Sequence, residues 1–565
     1  MIEIRICQNC EIEFRIDPED FAFYEKMQVP APTWCPECRL QRRLSFLNFI
    51  RLYKRPCDLC KKEFVTNYHP DAAYTVYCPE CWWSDKWDPL DYGRDYDFSR
   101  PFFEQFAELW KKVPVIGLAV DLQTVHQSPY NNYTGGLKDC YLLFQAGEDE
   151  NAGYGVYVFG SRDMYDCSLV RDCEQCFDSM HSYKVSNGVG IRGQLYESSD
   201  CKFLRDSHGC HDCAASANLH NKQYYIFNRP YAKEEYKAEM KKWEDLGSYK
   251  KYQEFKQKAE THWATYPRKL RQDEFSTDCT GNYVFSSKNC KDCYEVMGAE
   301  DSRYLLMTHK ARDSYDISMW GDIERCYDGI VGVKAVNVRF GFLCFEGAYD
   351  TEYSVLSHNG STGNFGCVSM RKRDYCILNK QYGKEEYLRV TEKIRKQMVE
   401  MPYRDRRGRD YRYGEFFPSE LSPWGYNETL AFHRAPLTRE HAAAQGFLWR
   451  AEQKPNHKID RNAADLPDHI RDATDDILQE TIGCEKCKKG FRIIPRELAF
   501  LRQKSFPLPR QCPFCRISEK LDMWMRELKS VRTHCTRCRK EIEIASLYAS
   551  ERVLLCKECY QNEVV

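Results

Sequence analysis

No stretch of this 565-residue chain approaches the run of about 18 consecutive apolar residues that a membrane span needs. An excess of one charge sign is also missing. The 83 Lys and Arg face 84 Asp and Glu, so no single-sign field covers the molecule, and any nucleic-acid contact must come from local patches. Met1 is followed almost at once by Cys7 and Cys10 with no signal-peptide core between them, which predicts a cytoplasmic protein. Catalytic signatures are absent: the sequence holds no Walker loop, no His-Glu-x-x-His and no Gly-x-Ser-x-Gly. Gly188-x-Gly190-x-x-Gly193 fits a dinucleotide fingerprint by letters alone. No convincing helix follows it, so these read as turn glycines. At about 150 residues per domain the length allows three to five domains.

What the chain does have is cysteine, thirty in all. Sixteen form eight Cys-x-x-Cys pairs at the two ends: Cys7/Cys10, Cys35/Cys38, Cys57/Cys60 and Cys78/Cys81, then Cys484/Cys487, Cys512/Cys515, Cys535/Cys538 and Cys556/Cys559. Such a turn places two sulfurs on one side of a tight loop, and two turns supply the four thiolates that zinc accepts. Four structural zinc sites, each with four cysteine ligands, are expected. Redox pairs occur singly at a helix start, not as regular doublets.

The ends are copies of one design. Between the first and second pairs lie 24 residues at each end, and between the third and fourth lie 17. Phe14, Arg15, Ile16, Phe23, Pro30, Pro32, Pro36 and Arg39 have counterparts at Phe491, Arg492, Ile493, Phe500, Pro507, Pro509, Pro513 and Arg516. Helical patterns follow the second pairs, through Leu40, Leu44 and Leu47 and through Ile517, Leu521 and Trp524. The segment from Cys484 through Phe491, Pro507 and Pro509 to Cys512-Pro-x-Cys515-Arg516 resembles the small zinc-ribbon domain of the treble-clef type, in which a hairpin and a helix each give two cysteines. Cys7 to Arg39 is similar, and the whole layout resembles large uncharacterised bacterial proteins with paired zinc modules at both ends. The resemblance implies zinc and a fold, not a function. Within each end the 18 or 19 residues between the second and third pairs favour sequential pairing over a cross-braced arrangement.

The middle reads as β-rich: short apolar or aromatic strings broken by Asp-Cys, Asn-Cys, Gly and Ser, with phrases recurring at roughly 20 to 30 residues. A β-solenoid is expected, with a propeller or sandwich as alternative; stacked coils would form ladders of small Cys and flat Tyr side chains. This region is itself duplicated. Lys138-Asp-Cys-Tyr141 matches Lys291-Asp-Cys-Tyr294, Asp166 matches Asp316, Asp178 matches Asp328, and the run Tyr224–Tyr236 aligns without a gap on Tyr375–Tyr387, each followed by a helix suited to capping. Three further pairs lie here: Cys173/Cys176, Cys210/Cys213 and Cys290/Cys293. Residues i and i+3 of a strand point to opposite faces, so one cysteine of each is expected inside and one outside. His208, Cys210, His211 and Cys213 form the densest candidate metal set outside the ends.

The resulting map is mainly β and multidomain: a two-zinc module over 1–90, a helix and linker over 91–130, the first repeat half over 131–230, a helical segment over 231–272, the second half over 273–380, a helix over 381–400, an irregular connector with short helices over 401–480, and the second two-zinc module over 481–565. Phe102, Phe106, Leu109 and Trp110 form a stripe suited to docking on a neighbour. The acidic run through Asp465, Asp468, Asp472, Asp475 and Asp476 reads as a solvated helix face.

Basic residues with interleaved aromatics suggest binding. Arg39, Arg42, Arg43, Arg51, Lys54 and Arg55 follow the second cysteine pair, and Arg404, Arg406, Arg407 and Arg409 share a loop with Tyr411. The functional expectation is a non-catalytic multi-zinc protein that contacts RNA or a ribonucleoprotein through basic zinc-module faces. The alternative is a protein-binding scaffold without nucleic acid. A carbohydrate- or nucleotide-directed enzyme along a solenoid groove is the third reading.

Overall fold

The computed structural model of the protein describes residues 2–243, 245–344, 346–451 and 458–564. It is mainly β, with parallel coils in the middle and cysteine-rich modules near both ends. The chain divides into two compact units that do not follow chain order. One joins Met1–Gly117 to Arg271–Ala451, and the other joins Leu118–Leu270 to Glu452–Val565. Each unit therefore contains one cysteine-rich end and one half of the repetitive middle. Among the described residues no helix is long and apolar enough to cross a membrane.

The middle is a β-solenoid whose strands pair in parallel at a shift of twelve residues, as in Asn132 with Phe144, Glu150 with Arg162, Leu306 with Ser318 and Tyr315 with Tyr327, or of thirteen, as in Ser182 with Leu195. The repeat is thus shorter than the 20 to 30 residues suggested by the recurring phrases. Each coil is built from triplets of an inward residue, an outward residue and a corner in left-handed backbone. The corners recur every third position, for example Asp163, Asp166, Leu169, Asp172, Gln175 and Asp178, with φ between 47° and 58°. Asp and Asn tolerate this conformation better than most side chains, because a short polar group bonds locally. An Asp corner followed by a small inward residue is the origin of the Asp-Cys phrases.

Triplet geometry overturns the expectation for the central cysteine pairs. The corners Gln175, Asp212 and Asp292 bend the chain between the two cysteines, so Cys173 and Cys176, Cys210 and Cys213, and Cys290 and Cys293 all point inward and are buried. The coil is narrow, and its interior is filled mostly by Cys, Ser, Ala, Gly and medium aliphatic residues, with Met164 and Asp149 among the exceptions. Thiols and hydroxyls there do the same work. Cys173 Sγ donates to the Arg171 carbonyl at 3.2 Å and lies 3.4 Å from that of Ser182, while Ser179 Oγ donates to Phe177 at 2.9 Å. The ladder expectation holds in part on the outside, where Tyr141, Tyr154 and Tyr165 succeed one another at 5.9 and 5.8 Å between ring centroids.

Each half ends in the same way. The last coil folds back as an antiparallel hairpin, Ile226 pairing Arg229 and Ile377 pairing Lys380, and a helix follows at Lys233–Lys241 or Lys384–Glu400. Tyr236 then meets Tyr224 and Tyr387 meets Tyr375, at 5.5 and 5.7 Å. A second helix, Tyr249–Trp263, lies along strands of the first half. The helix Phe102–Lys112 docks as its stripe suggests, with Phe102 against Tyr353 at 5.3 Å and Phe106 stacked on Phe417 at 5.2 Å. The acidic run is not one helix face: three short 3-10 turns, Ala463–Asp465, Ile470–Asp472 and Asp475–Leu478, carry all of it but Asp468, and Pro467 interrupts any longer helix between the first two.

Candidate metal centres and the basic helix

The first module starts with a hairpin, β1 (Glu3–Ile6) and β2 (Glu13–Ile16), followed by helices α1 (Pro18–Lys26) and α2 (Pro36–Leu44). Cys7 and Cys10 sit in the hairpin turn. Cys35 caps the start of α2, with Pro36 as its first residue, and Cys38 lies one turn on. The same local structure occurs four times. In each turn the first cysteine's N–H donates to the carbonyl five residues later, from Cys7, Cys57, Cys484 and Cys535, at 2.9 to 3.0 Å. The fourth residue after that cysteine, Glu11, Lys61, Lys488 or Arg539, is left-handed with φ of 61° to 64°.

These turns and helix starts bring the sixteen cysteines together as Cys7/Cys10/Cys35/Cys38, Cys57/Cys60/Cys78/Cys81, Cys484/Cys487/Cys512/Cys515 and Cys535/Cys538/Cys556/Cys559, the Sγ atoms of each set lying within 4.8 Å of one another. Pairing is sequential. A tetrahedron of Zn–S bonds of about 2.3 Å has edges of about 3.8 Å. The observed separations match: Cys10–Cys35 3.8 Å, Cys60–Cys78 4.0 Å, Cys487–Cys512 3.8 Å and Cys538–Cys556 3.6 Å. Backbone N–H groups aim at the sulfurs, from Cys35 to Cys7 at 3.2 Å, Cys78 to Cys57 at 3.3 Å and Cys512 to Cys484 at 3.2 Å. Asn9 Nδ2 donates to Cys38 Sγ at 3.2 Å. Donors of this kind stabilise thiolate over thiol. Hydrogen bonding from the Cys515 thiol holds Cys512 down at about 5 despite its burial. The donor set fits zinc or a similar thiophilic ion, and four sulfurs leave no position for a reacting water.

The central His208, Cys210, His211 and Cys213 are not brought together. The two thiols face the coil interior, His208 meets the Tyr196 ring edge-on, and His211 Nδ1 meets Ser199 Oγ at 2.9 Å.

The basic residues are placed unlike a phosphate-binding surface. Arg39, Arg42 and Arg43, on α2, are buried against carboxylates of the same unit: Arg39 to Asp316 at 2.8 Å, Arg43 to Asp328 at 2.8 Å and to Asp316 at 3.1 Å, and Arg42 to Asp328 at 3.1 Å and Glu415 at 3.0 Å. Arg42 also lies 4.4 Å over the Trp34 ring. Arg55 is buried beside Asp58, and Arg409 is buried between Asp405, Asn9 and Trp34. Five of the ten candidate nucleic-acid contacts are thus inaccessible: packing of α2 turns Arg39, Arg42 and Arg43 inward, while Arg55 and Arg409 are buried in a strand and a loop. Arg51 is half-buried, while Lys54, Arg404, Arg406 and Arg407 are exposed.

The carboxylates that receive α2 were missed in the sequence, although a signal existed. Arg39 and Arg516 are counterparts, as are Asp316 and Asp166; Arg516 bonds Asp166 and Lys520 bonds Asp178 at 2.9 Å. Both ends thus grip a solenoid half through equivalent residues, with Phe23 stacked on Tyr315 at 3.8 Å and Phe500 against Tyr165 at 4.9 Å. Compared with known proteins, the chain matches no family model and no curated protein.

Proposed function

We propose that the protein is a non-catalytic, zinc-stapled β-solenoid scaffold that binds other proteins, its end modules being zinc ribbons of the treble-clef type. The observation that carries this reading is the burial of Arg39, Arg42 and Arg43 against Asp316, Asp328 and Glu415: the most basic helix of the zinc module is a structural clasp. Zinc held by four thiolates at each site would supply folding energy and no Lewis acid to a substrate. The outward solenoid columns support partner recognition. Lys138 and Glu150 are ion-paired and exposed, and exposed Arg162 and Arg312 pair with half-buried Glu174 and Glu324 at 3.0 and 2.7 Å, giving rows of alternating charge with little net sign. Affinity capture from cells with and without nuclease, alongside metal analysis, tests the reading. Protein partners that survive nuclease, with about four zinc per chain, support it; nuclease-sensitive capture refutes it.

A second reading, contact with RNA or a ribonucleoprotein, rests on the exposed Lys54, Arg404, Arg406 and Arg407. It requires RNA binding that weakens steeply with salt and is lost on reversing Arg406 and Arg407 to Glu.

A further inference from the structure

Among the described residues, the outer edge of the first hairpin is a strand seat left open in one copy of the module and filled in the other. In the C-terminal module the strand equivalent to β1, Ile482–Gly483, is central: Phe491 and Gly490 flank it on one side, and Arg461 and Asn462 pair with it on the other. Asp460 N–H donates to the Thr481 carbonyl at 2.9 Å, and Thr481 N–H donates to Asp460 Oδ2 at 2.9 Å. At the N-terminal end β1 pairs with β2 and, among the described residues, with no second strand. Cys7 N–H bonds the Ile12 carbonyl, so by antiparallel alternation Arg5–Phe14 and Glu3–Ile16 exchange hydrogen bonds. The backbone groups of Ile4 and Ile6 therefore point away from β2, to the open edge, just as those of Thr481 point to Asp460.

Side chains along this edge differ from their counterparts. Ile4 and Ile12 stand where the other module has Thr481 and Lys489. Ile2, Ile4, Ile6 and Ile12 are exposed by 48%, 57%, 67% and 66%. Bare strand edges with an apolar face favour addition of a further strand. The strand Ile2-Glu3-Ile4-Arg5-Ile6 is complementary to itself. Paired antiparallel about Ile4, it sets Ile4 opposite Ile4, Ile2 opposite Ile6, and Glu3 opposite Arg5 on both sides of a two-fold axis. Ile4 then falls in a hydrogen-bonded pair, and the charges fall in a pair where side chains approach most closely.

We propose that β1 pairs with β1 of a second copy of this chain, joining two N-terminal hairpins into one four-stranded sheet. The contact is isologous, as a two-fold dimer requires. It does not depend on what the solenoid columns bind.

Sedimentation or light scattering of the full chain over a range of concentrations tests this. The expected result is a concentration-dependent dimer that Ile4→Pro converts to a monomer. That change removes an N–H facing the open edge and leaves the β1–β2 ladder intact; unchanged circular dichroism and metal content confirm that the variant is folded. Glu3→Lys and Arg5→Glu each place like charges opposite one another in a self-pair, so each alone is expected to be monomeric. Mixed together, the two variants set opposite charges against each other on both sides of the axis, and a heterodimer is expected to form. A wild-type chain that stays monomeric at its highest soluble concentration overturns the proposal. So does a dimer indifferent to Ile4→Pro, or an edge occupied by a different co-purifying protein that Ile4→Pro releases.

Discussion

Arg39 reaches Asp316 at 2.8 Å with neither side chain more than 2% exposed, and that pair is the hinge between what looked like a nucleic-acid surface and what is an internal clasp. A charge pair removed from water depends on both partners being present, since either one alone leaves an uncompensated buried charge. Asp316 also receives Arg43, and Asp328 receives Arg42 and Arg43, so each carboxylate faces more than one guanidinium.

Breaking this clasp is expected to destabilise the first unit strongly. Arg39→Ala or Asp316→Ala should cost about 3–5 kcal/mol in urea denaturation. Replacing an exposed cation such as Lys54 by Ala should cost less than about 0.5 kcal/mol. A loss for Arg39→Ala no larger than that for Lys54→Ala would show that the buried pair does not hold the module to the coils.

Each cysteine set is expected to stand or fall by itself. Cys512→Ser should lower the zinc content from about four to about three per chain and expose the helix Pro513–Glu527 to proteolysis, because a structural site contributes roughly 10–16 kcal/mol of apparent binding free energy. Cys57→Ser should do the same for its own site and leave the C-terminal module protected. Elemental analysis with limited proteolysis reads both outcomes; zinc content unchanged by Cys512→Ser would remove that set from the metal sites.

The solenoid interior makes a different prediction for its cysteines. Burial pushes the Cys140 thiol to about 12 and Cys344 to about 11, so these two thiols should not react with alkylating reagents in the native state. Because Ser179 already performs the hydrogen bonding that Cys173 performs, Cys173→Ser should change stability by less than about 1 kcal/mol. Cys173→Leu overpacks a narrow coil and should cost about 1–3 kcal/mol. Mass spectrometry after native alkylation and thermal denaturation of the two variants check these outcomes.

A pH dependence follows from Asp149, which faces the coil interior. Burial raises its carboxyl to about 8, although the Ser161 N–H donates to it at 2.9 Å. An unfolded chain ionises this group near 3.9. Between those values the folded state binds the extra proton, so stability falls as pH rises from about 4 to about 8 and levels off above, at up to about 1.4 kcal/mol per unit. Asp149→Asn should remove this limb and stabilise the second unit at pH 8 while changing little at pH 4. Denaturation midpoints measured across that range decide it.

The sequence by itself determined which cysteines form candidate metal sites, because the Cys-x-x-Cys turn is a local structure whose sulfurs converge whatever surrounds it, and the 18 or 19 residues between second and third pairs favoured the sequential pairing that the structure shows. It also determined the coiled middle and its duplication, since stacked coils repeat their corner and interior residues in the chain. Only tertiary structure decided where the side chains point. Cys173 and Cys176 both enter the interior because a left-handed corner at Gln175 breaks strand alternation, and strand alternation was the rule applied to them. Arg39, Arg42 and Arg43 read as a solvent-facing patch, since charge is legible locally but its partners Asp316, Asp328 and Glu415 lie more than 270 residues further along the chain. Contacts at that separation form through packing of whole elements, and no local pattern in one helix encodes the surface that will cover it.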